Sequence, residues 1–148
     1  MIFQRVNRSD PEKVFISVQS NGTLIVDQCV QWELASASVD GVKVRSVAAG
    51  NEYAFVGVCD KAIASGAFGL VQVYGNRSTS IVFQTNTSQD TGVPLVPVAA
   101  QSYFSSVLTT LASNTSITLQ PIYAVLGASI VSSSASGTVS NRIFIRAL

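Results

Sequence analysis

Histidine is absent from this chain of 148 residues, and charged side chains of either sign are scarce. Without histidine, the chain lacks the commonest general base and the commonest metal ligand of proteins. Only 11% of its residues are charged, against about 25% in an ordinary globular domain. Free monomers cover their surface with charge, whereas the centres of protein interfaces are depleted of it. The composition therefore disfavours catalysis and favours a protein that assembles with others.

The few charges are unevenly distributed along the chain. Residues 1–61 carry thirteen of them, and residues 62–148 carry four. The four are Arg77, Asp90, Arg142 and Arg146. Two interpretations are open: a surface that is merely rich in serine and threonine, or a carboxyl-terminal half that other chains largely cover. We favour the second.

Basic tracts and long apolar runs are missing as well. The net charge is +1, and no stripe of lysine and arginine is present that could bind nucleic acid or an anionic membrane surface. No apolar run approaches the ~20 residues of a membrane-spanning helix, and the first residues lack the apolar region of a signal peptide. We expect neither nucleic acid nor a membrane as partner, and synthesis in the cytoplasm.

The residues that remain for chemistry do not form a recognisable site. Cys29 and Cys59 are not in a C-x-x-C motif, so two free and mostly buried thiols are expected. After residue 60 the only acidic side chain is Asp90, and no nucleophile elbow or nucleotide-binding glycine loop occurs. We therefore predict that the protein is not an enzyme and has no catalytic, cofactor-binding or metal-ligating residues.

Short segments rich in valine, isoleucine and aromatic residues alternate with turn signals along most of the chain. These segments are 13–19, 23–27, 29–34, 41–47, 52–60, 69–75, 80–85, 93–99, 117–127 and 142–148. Many short strands with turns between them predict a mainly β fold, a small β-barrel or sandwich of short antiparallel strands. Prolines 94, 97 and 121 indicate edge strands or strand ends, because proline cannot donate to a strand ladder.

One stretch departs from the strand pattern. Its apolar residues recur with the spacing i, i+3, i+4, i+7, i+8 and i+11, which is the period of a helix. They are Ala100, Tyr103, Phe104, Val107, Leu108 and Leu111. The spacing predicts one amphipathic helix near 100–112.

The segment IASGAFGLVQVYG, residues 63–75, contains three glycines and no charge. A loop that cradles phosphate would place its glycines before a helix and near a lysine, but these glycines precede an alternating strand. We interpret the segment as a turn followed by a strand that Gly75 closes. Residues 56–75, with the pattern strand, small-residue turn and strand, resemble residues 125–148, which indicates either a true internal repeat or two hairpins with similar turns.

The same region carries a resemblance to a known class of proteins. The run DGVKVRSVAAGNEYAFVGVCDKAIASGAFGLVQVYG, the later GVPL and the final IFIRAL resemble small decoration, or cement, proteins of tailed bacteriophage capsids. The resemblance covers roughly residues 30–97 and 125–148. It implies a β-rich, often trimeric protein that clamps neighbouring major capsid proteins on the exterior of the virion and has no active site.

The function expected from the residues and the resemblance is therefore structural. We predict a non-enzymatic virion protein that binds and stabilises the capsid shell, with the major capsid protein as partner, a homotrimer as its assembly state and no cofactor. The alternatives are a small protein associated with a phage tail, baseplate or fibre, and a glycan-binding module that uses aromatic side chains.

Two groups of residues are candidates for contacts with other chains. Residues 1–12 are expected to form an extended arm that precedes a single β-rich domain, residues 13–148, because Pro11 fixes its own φ and restricts Asp10. The arm residues expected to contact the capsid are Ile2, Phe3, Arg5 and Arg8. The residues expected at a subunit interface are Arg142, Phe144 and Arg146.

Overall fold

The structure, a computed structural model, describes residues 12–34, 42–48, 51–84, 88–98, 101–106, 122–130 and 137–147. These residues contain nine strands and one short 3₁₀ turn, Glu52–Ala54. The strands are β1 (Lys13–Ser20), β2 (Cys29–Trp32), β3 (Lys43–Ser46), β4 (Phe55–Cys59), β5 (Phe68–Gln84), β6 (Pro94–Pro97), β7 (Phe104–Ser106), β8 (Ala124–Leu126) and β9 (Gly137–Arg146). The prediction of a mainly β fold with mostly antiparallel strands is confirmed.

The strands form one sheet that closes on itself twice. In the first ring the order is β1, β3, β2, β4 and β5, and β5 pairs back with β1. In the second ring the order is β5, β7, β6, β8 and β9, and β9 pairs back with β5. Each closure removes the free strand edges that an open sheet would expose. The result is two small five-stranded barrels that share the 17-residue strand β5.

The two barrels have the same topology, strand for strand. In each ring a single pairing is parallel, β1 with β3 and β5 with β7. Each ring also contains one isolated antiparallel bridge, Leu24 with Ile63 and Gln89 with Ile130. We call the part made by β1 to β4 and the first half of β5 the first repeat, and the part made by the second half of β5 and β6 to β9 the second repeat.

Individual hydrogen bonds correspond as well. The amide of Asp27 donates to the carbonyl of Cys59, and the amide of Gly92 donates to the carbonyl of Leu126 at the equivalent place. Both donors have positive φ, 62° and 90°. The similarity between residues 56–75 and 125–148 therefore reflects a true internal repeat rather than two unrelated hairpins with similar turns.

Strand β4 is buried on both of its faces. Val56 and Cys59 belong to the core of the first barrel, whereas Phe55 and Val58 pack into the core of the second. The ring of Phe55 meets the rings of Phe104 and Tyr123 at centroid distances of 5.7 and 5.0 Å. This double burial explains why the sequence FVGVC has no polar position, and it fixes the two barrels against each other.

The predicted helix near 100–112 is wrong over the residues that the structure describes. Residues 101–103 form a bend and Phe104–Ser106 form β7, while residue 100 and residues 107–112 lie outside the described ranges. Phe104 is fully buried in the second barrel, and β7 pairs with β6 along its length. Aromatic, serine and β-branched residues have modest helix propensity, so the strand pairing outweighs the helical spacing.

Other strand boundaries also differ from the expectation. The segments 69–75 and 80–85 are one continuous strand, because Gly75 (φ 100°) does not end β5 and a bulge between Arg77 and Ser80 lets the ladder continue. The segment 23–27 is a turn that contains only an isolated bridge. Pro94 and Pro97 occupy the two ends of β6, as expected for residues that cannot donate to the ladder.

Close backbone approach at Gly57 gives a test of the shared packing. A methyl group at this position would collide with the carbonyl oxygen of Gln72 on β5. We predict that Gly57→Ala lowers the free energy of unfolding by about 1–3 kcal/mol, the range typical of overpacked sites. Urea unfolding followed by circular dichroism measures the change.

The matched control is Gly22→Ala, since a methyl group on Gly22 meets no atom within 4 Å. This substitution should change the free energy of unfolding by no more than about 0.5 kcal/mol, as other surface substitutions do. Equal losses for the two variants would contradict the close approach of β4 and β5.

Candidate interaction surfaces

The sequence-predicted contact residues fall into two groups. Ile2, Phe3, Arg5 and Arg8 lie outside the described residues, as does the rest of the proposed arm up to residue 11. Arg142, Phe144 and Arg146 are described and lie on one side of β9, pointing away from the barrel core, because they alternate with the buried Ile143 and Ile145. The capsid contacts of the first group remain a prediction. For the second group, the structure shows which residues surround it.

Phe144 is the centre of an apolar row across the second barrel. Strand register places Pro94, Val125, Phe144 and Asn76 side by side on four neighbouring strands. The Phe144 ring also contacts Tyr74 edge-to-face, at a centroid distance of 5.2 Å. All of these residues are half-buried, and the exposed Arg142 and Arg146 flank the row. We call this surface the β9 face.

The equivalent row of residues in the first repeat is mostly buried. Register places Cys29, Val58, Gln72 and Phe15 in this row; the first three are at most 1% exposed, and Phe15, at the end of the row, is 38% exposed. The second repeat covers it, since Cys29 and Val58 pack into the core of the second barrel. The β9 face is therefore the counterpart of a surface that, in the first repeat, is buried by contact with a neighbouring barrel.

A second apolar surface lies on the outside of the first barrel. It consists of Ile25, Val26, Phe68 and Leu70, which are 50%, 49%, 65% and 51% exposed. We call these four residues the apolar patch. Phe68 and Leu70 point outward on β5 because Val71 points into the core, and with Asp60 and Lys61 they line an open depression of about 290 Å³.

The second repeat does not have this patch. Its Asp90 and Thr91 occupy the positions of Ile25 and Val26, as the bridges of Leu24 and Gln89 fix the register. In the same way, the bonds from the Asp60 amide to Leu70 and from the Gly127 amide to Arg142 align Leu70 with Arg142. Two steps earlier on each strand, Phe68 aligns with Ser140. The fold thus forms with polar residues at all four positions.

A buried cation lies beneath the edge of the patch. Arg77, in the bulge of β5, is 7% exposed. Its Nε donates to Asp27 Oδ1 at 2.8 Å, its Nη2 donates to the same oxygen and to the carbonyl of Cys59, and its Nη1 donates to Gln72 Oε1 at 3.3 Å. The Asp60 carboxylate lies 3.6 Å from Nη1. Arg77 thereby ties the Asp27 turn and the end of β4 to the shared strand.

These surfaces are only partly predictable from the sequence. Phe68 and Leu70 alternate with Gly69 and Val71, so both faces of this strand segment carry apolar residues, but only the barrel decides which face is outside. From the sequence we expect other chains largely to cover the half that contains Arg77, whereas Arg77 is buried by its own chain. An isolated arginine between apolar strands, with Asp27 and Asp60 far away in sequence, gives no sign of this pairing.

The two cysteines are buried and free, as the sequence predicts. Burial raises the pKa of the Cys59 thiol to about 12 and raises the pKa of Cys29 still further. The neighbouring Arg77 opposes part of this effect by favouring the thiolate. Both thiols therefore stay protonated at neutral pH, and a thiol nucleophile requires the thiolate form.

The described residues lack two further kinds of feature. Within the described ranges, no helix is long and apolar enough to cross a membrane. Among the same residues, no three or more histidine, cysteine, aspartate or glutamate side chains are grouped to hold a metal ion. In comparisons with known proteins, no family model matches the chain and no curated protein matches it at a significant level.

The ion pair of Arg77 gives a stability prediction. Replacing Arg77 by methionine leaves the partly buried Asp27 without its partner, and breaking a buried pair in this way costs about 3–5 kcal/mol. We predict a loss of this size in the free energy of unfolding, measured in urea, for Arg77→Met.

Arg142→Met removes the same charge from an exposed position, so its effect should stay within about 0.5 kcal/mol. Adding Asp27→Asn to Arg77→Met should recover part of the loss, because the orphaned charge is then removed. Similar stability of Arg77→Met and Arg142→Met would contradict a structural role for the Arg77 pair.

Proposed function

We propose that this protein is a non-enzymatic virion structural protein that binds and stabilises the exterior of a bacteriophage capsid shell. One observation carries the proposal: a small, closed body displays two separate apolar surfaces, the β9 face on one repeat and the apolar patch on the other. A protein that joins neighbours in a shell needs two contact surfaces. The resemblance of residues 30–97 and 125–148 to capsid decoration proteins supports the same function.

In this proposal the β9 face joins copies of the chain into a homotrimer. Phe144 supplies apolar contact area, and the exposed Arg142 and Arg146 supply donors at its rim, a division typical of protein interfaces. The partner on the virion is the major capsid protein. The arm residues Ile2, Phe3, Arg5 and Arg8 are proposed to add a further contact with the shell.

Shell binding is the direct test of the function. Empty shells assembled from the major capsid protein alone are mixed with the purified protein and sedimented. We expect the protein to sediment with the shells, to saturate at a fixed ratio to the capsid subunits, and to raise the temperature at which the shells come apart. Failure to sediment at tens of micromolar protein would overturn the proposed function.

The trimer is tested separately in solution. Light scattering should give about three times the chain mass of 15.6 kDa, and Phe144→Asp should reduce this to the monomer, because it places a charge in the apolar row. Tyr53→Ser changes an exposed aromatic residue elsewhere on the molecule and should leave the mass unchanged. A trimer that survives Phe144→Asp would place the interface on another surface.

A further inference from the structure

We propose that copies of this chain assemble head to tail, by repeating between chains the packing that joins the two barrels within one chain. In this arrangement the β9 face of one copy packs on the end of the first barrel of the next copy. This inference rests on the part of the proposed function that makes the β9 face a contact between copies, and it names the surface that covers that face.

The contact between the two barrels of one chain has two different sides. On the first repeat it uses the outward side of the sheet, from which Phe55, Val58 and Cys29 enter the core of the second barrel. On the second repeat it uses the place where Phe104 and Tyr123 receive the Phe55 ring, at centroid distances of 5.7 and 5.0 Å. The internal repeat gives each of these two sides a counterpart elsewhere in the chain.

The first counterpart is the outward side of the second repeat. Val125 stands at the position of Val58, and Ile122, three residues earlier, stands at the position of Phe55. Phe55 is 5% exposed, whereas Ile122 is 48% exposed. Ile122 therefore extends the β9 face at the position that, in the first repeat, makes the ring contacts with the neighbouring barrel.

The second counterpart is one end of the first barrel. Phe104 of β7 pairs with Pro97 of β6, and Val44 of β3 pairs with Trp32 of β2 at the equivalent place. Val44 is therefore the counterpart of a residue that receives the Phe55 ring. This end of the first barrel stands where the second barrel receives its neighbour.

The same end of the first barrel is apolar and partly exposed. The ladder of β2 and β3 continues beyond Trp32, because the amide of Glu33 donates to the carbonyl of Lys43. The next pair in this register is Leu34 with Val42, which are 48% and 37% exposed. Every second residue of a strand lies on the same side, so this pair extends the side that carries Trp32. We call Trp32, Leu34 and Val42 the first-barrel end.

Head-to-tail packing covers both of these surfaces at once. A contact between two different surfaces of the same chain is heterologous, and it forms a ring when its rotation closes. Three copies, the state proposed above, then form a ring of six barrels in which contacts within and between chains alternate. A contact between two β9 faces gives a two-fold dimer instead, and it leaves the first-barrel end uncovered.

The first test places a charge on each surface separately. Ile122→Asp changes the β9 face and Leu34→Asp changes the first-barrel end, and both residues are 48% exposed, so the fold should tolerate the changes. We expect light scattering to give the monomer mass of 15.6 kDa for each variant. Phe68→Asp places the same charge at an apolar residue that is 65% exposed and outside both surfaces, so this control should keep the trimer.

Mixing the two variants distinguishes head-to-tail from face-to-face contact. Leu34→Asp keeps its β9 face and Ile122→Asp keeps its first-barrel end, so one head-to-tail contact can form between them. We expect an equimolar mixture to give a dimer of about twice the chain mass of 15.6 kDa. A face-to-face contact cannot give this result, because every pair that includes Ile122→Asp has a damaged face.

A cross-link captures the same contact covalently. Leu34→Cys and Ile122→Cys each add an exposed thiol, while Cys29 and Cys59 are buried. A short bismaleimide should link copies in a mixture of the two variants and should leave each variant alone unlinked.

The outcomes separate this inference from the proposed function. If either aspartate variant keeps the trimer, or if the mixtures neither dimerise nor cross-link, the inference is overturned, and sedimentation with shells still decides the function. A wild type that is a monomer at tens of micromolar also overturns the inference. If the mixed dimer forms but the wild type does not sediment with shells, the proposed shell function fails and the head-to-tail assembly stands.

Discussion

Strand β5 is the constraint on which the rest of the structure depends. Its first half closes one barrel and its second half closes the other, so both rings depend on this one strand for their closure. The bulge at Arg77 allows the change of partner strands, and the ion pair of Arg77 with Asp27 holds the bulge to the first barrel. Beside it, β4 is buried between the two cores, which leaves the barrels no freedom to separate.

The internal repeat makes the differences between the halves informative. Equivalent positions have the same backbone and the same strand neighbours, so a difference in side chain reflects surroundings or function rather than folding. The first repeat buries the row of Cys29 and Val58 under the second repeat, while the second repeat leaves its counterpart half-open around Phe144. The first repeat in turn exposes the apolar patch, where the second repeat is polar. Each repeat thus offers one surface that the other lacks.

The four charged residues after residue 61 lie in two different environments in this fold. Arg77 is buried inside the chain, where it stabilises the junction of the barrels. The other late charges, Asp90, Arg142 and Arg146, are exposed. Of the four charges in the half that we expect other chains largely to cover, Arg77 is therefore buried within its own chain.

The sequence by itself determined the β class, most strand positions, the burial of both thiols and the turn that precedes β5, because alternation and turn residues act locally. It did not determine the strand at Phe104–Ser106, since spacing alone fits a helix and only pairing with β6 decides otherwise. Nor did it determine the continuity of β5, the partners of Arg77 or the outward direction of Phe68 and Leu70. These depend on contacts between residues far apart in sequence, such as Arg77 with Asp27 and Tyr74 with Arg146, and the closure of two barrels around one strand is what brings those residues together.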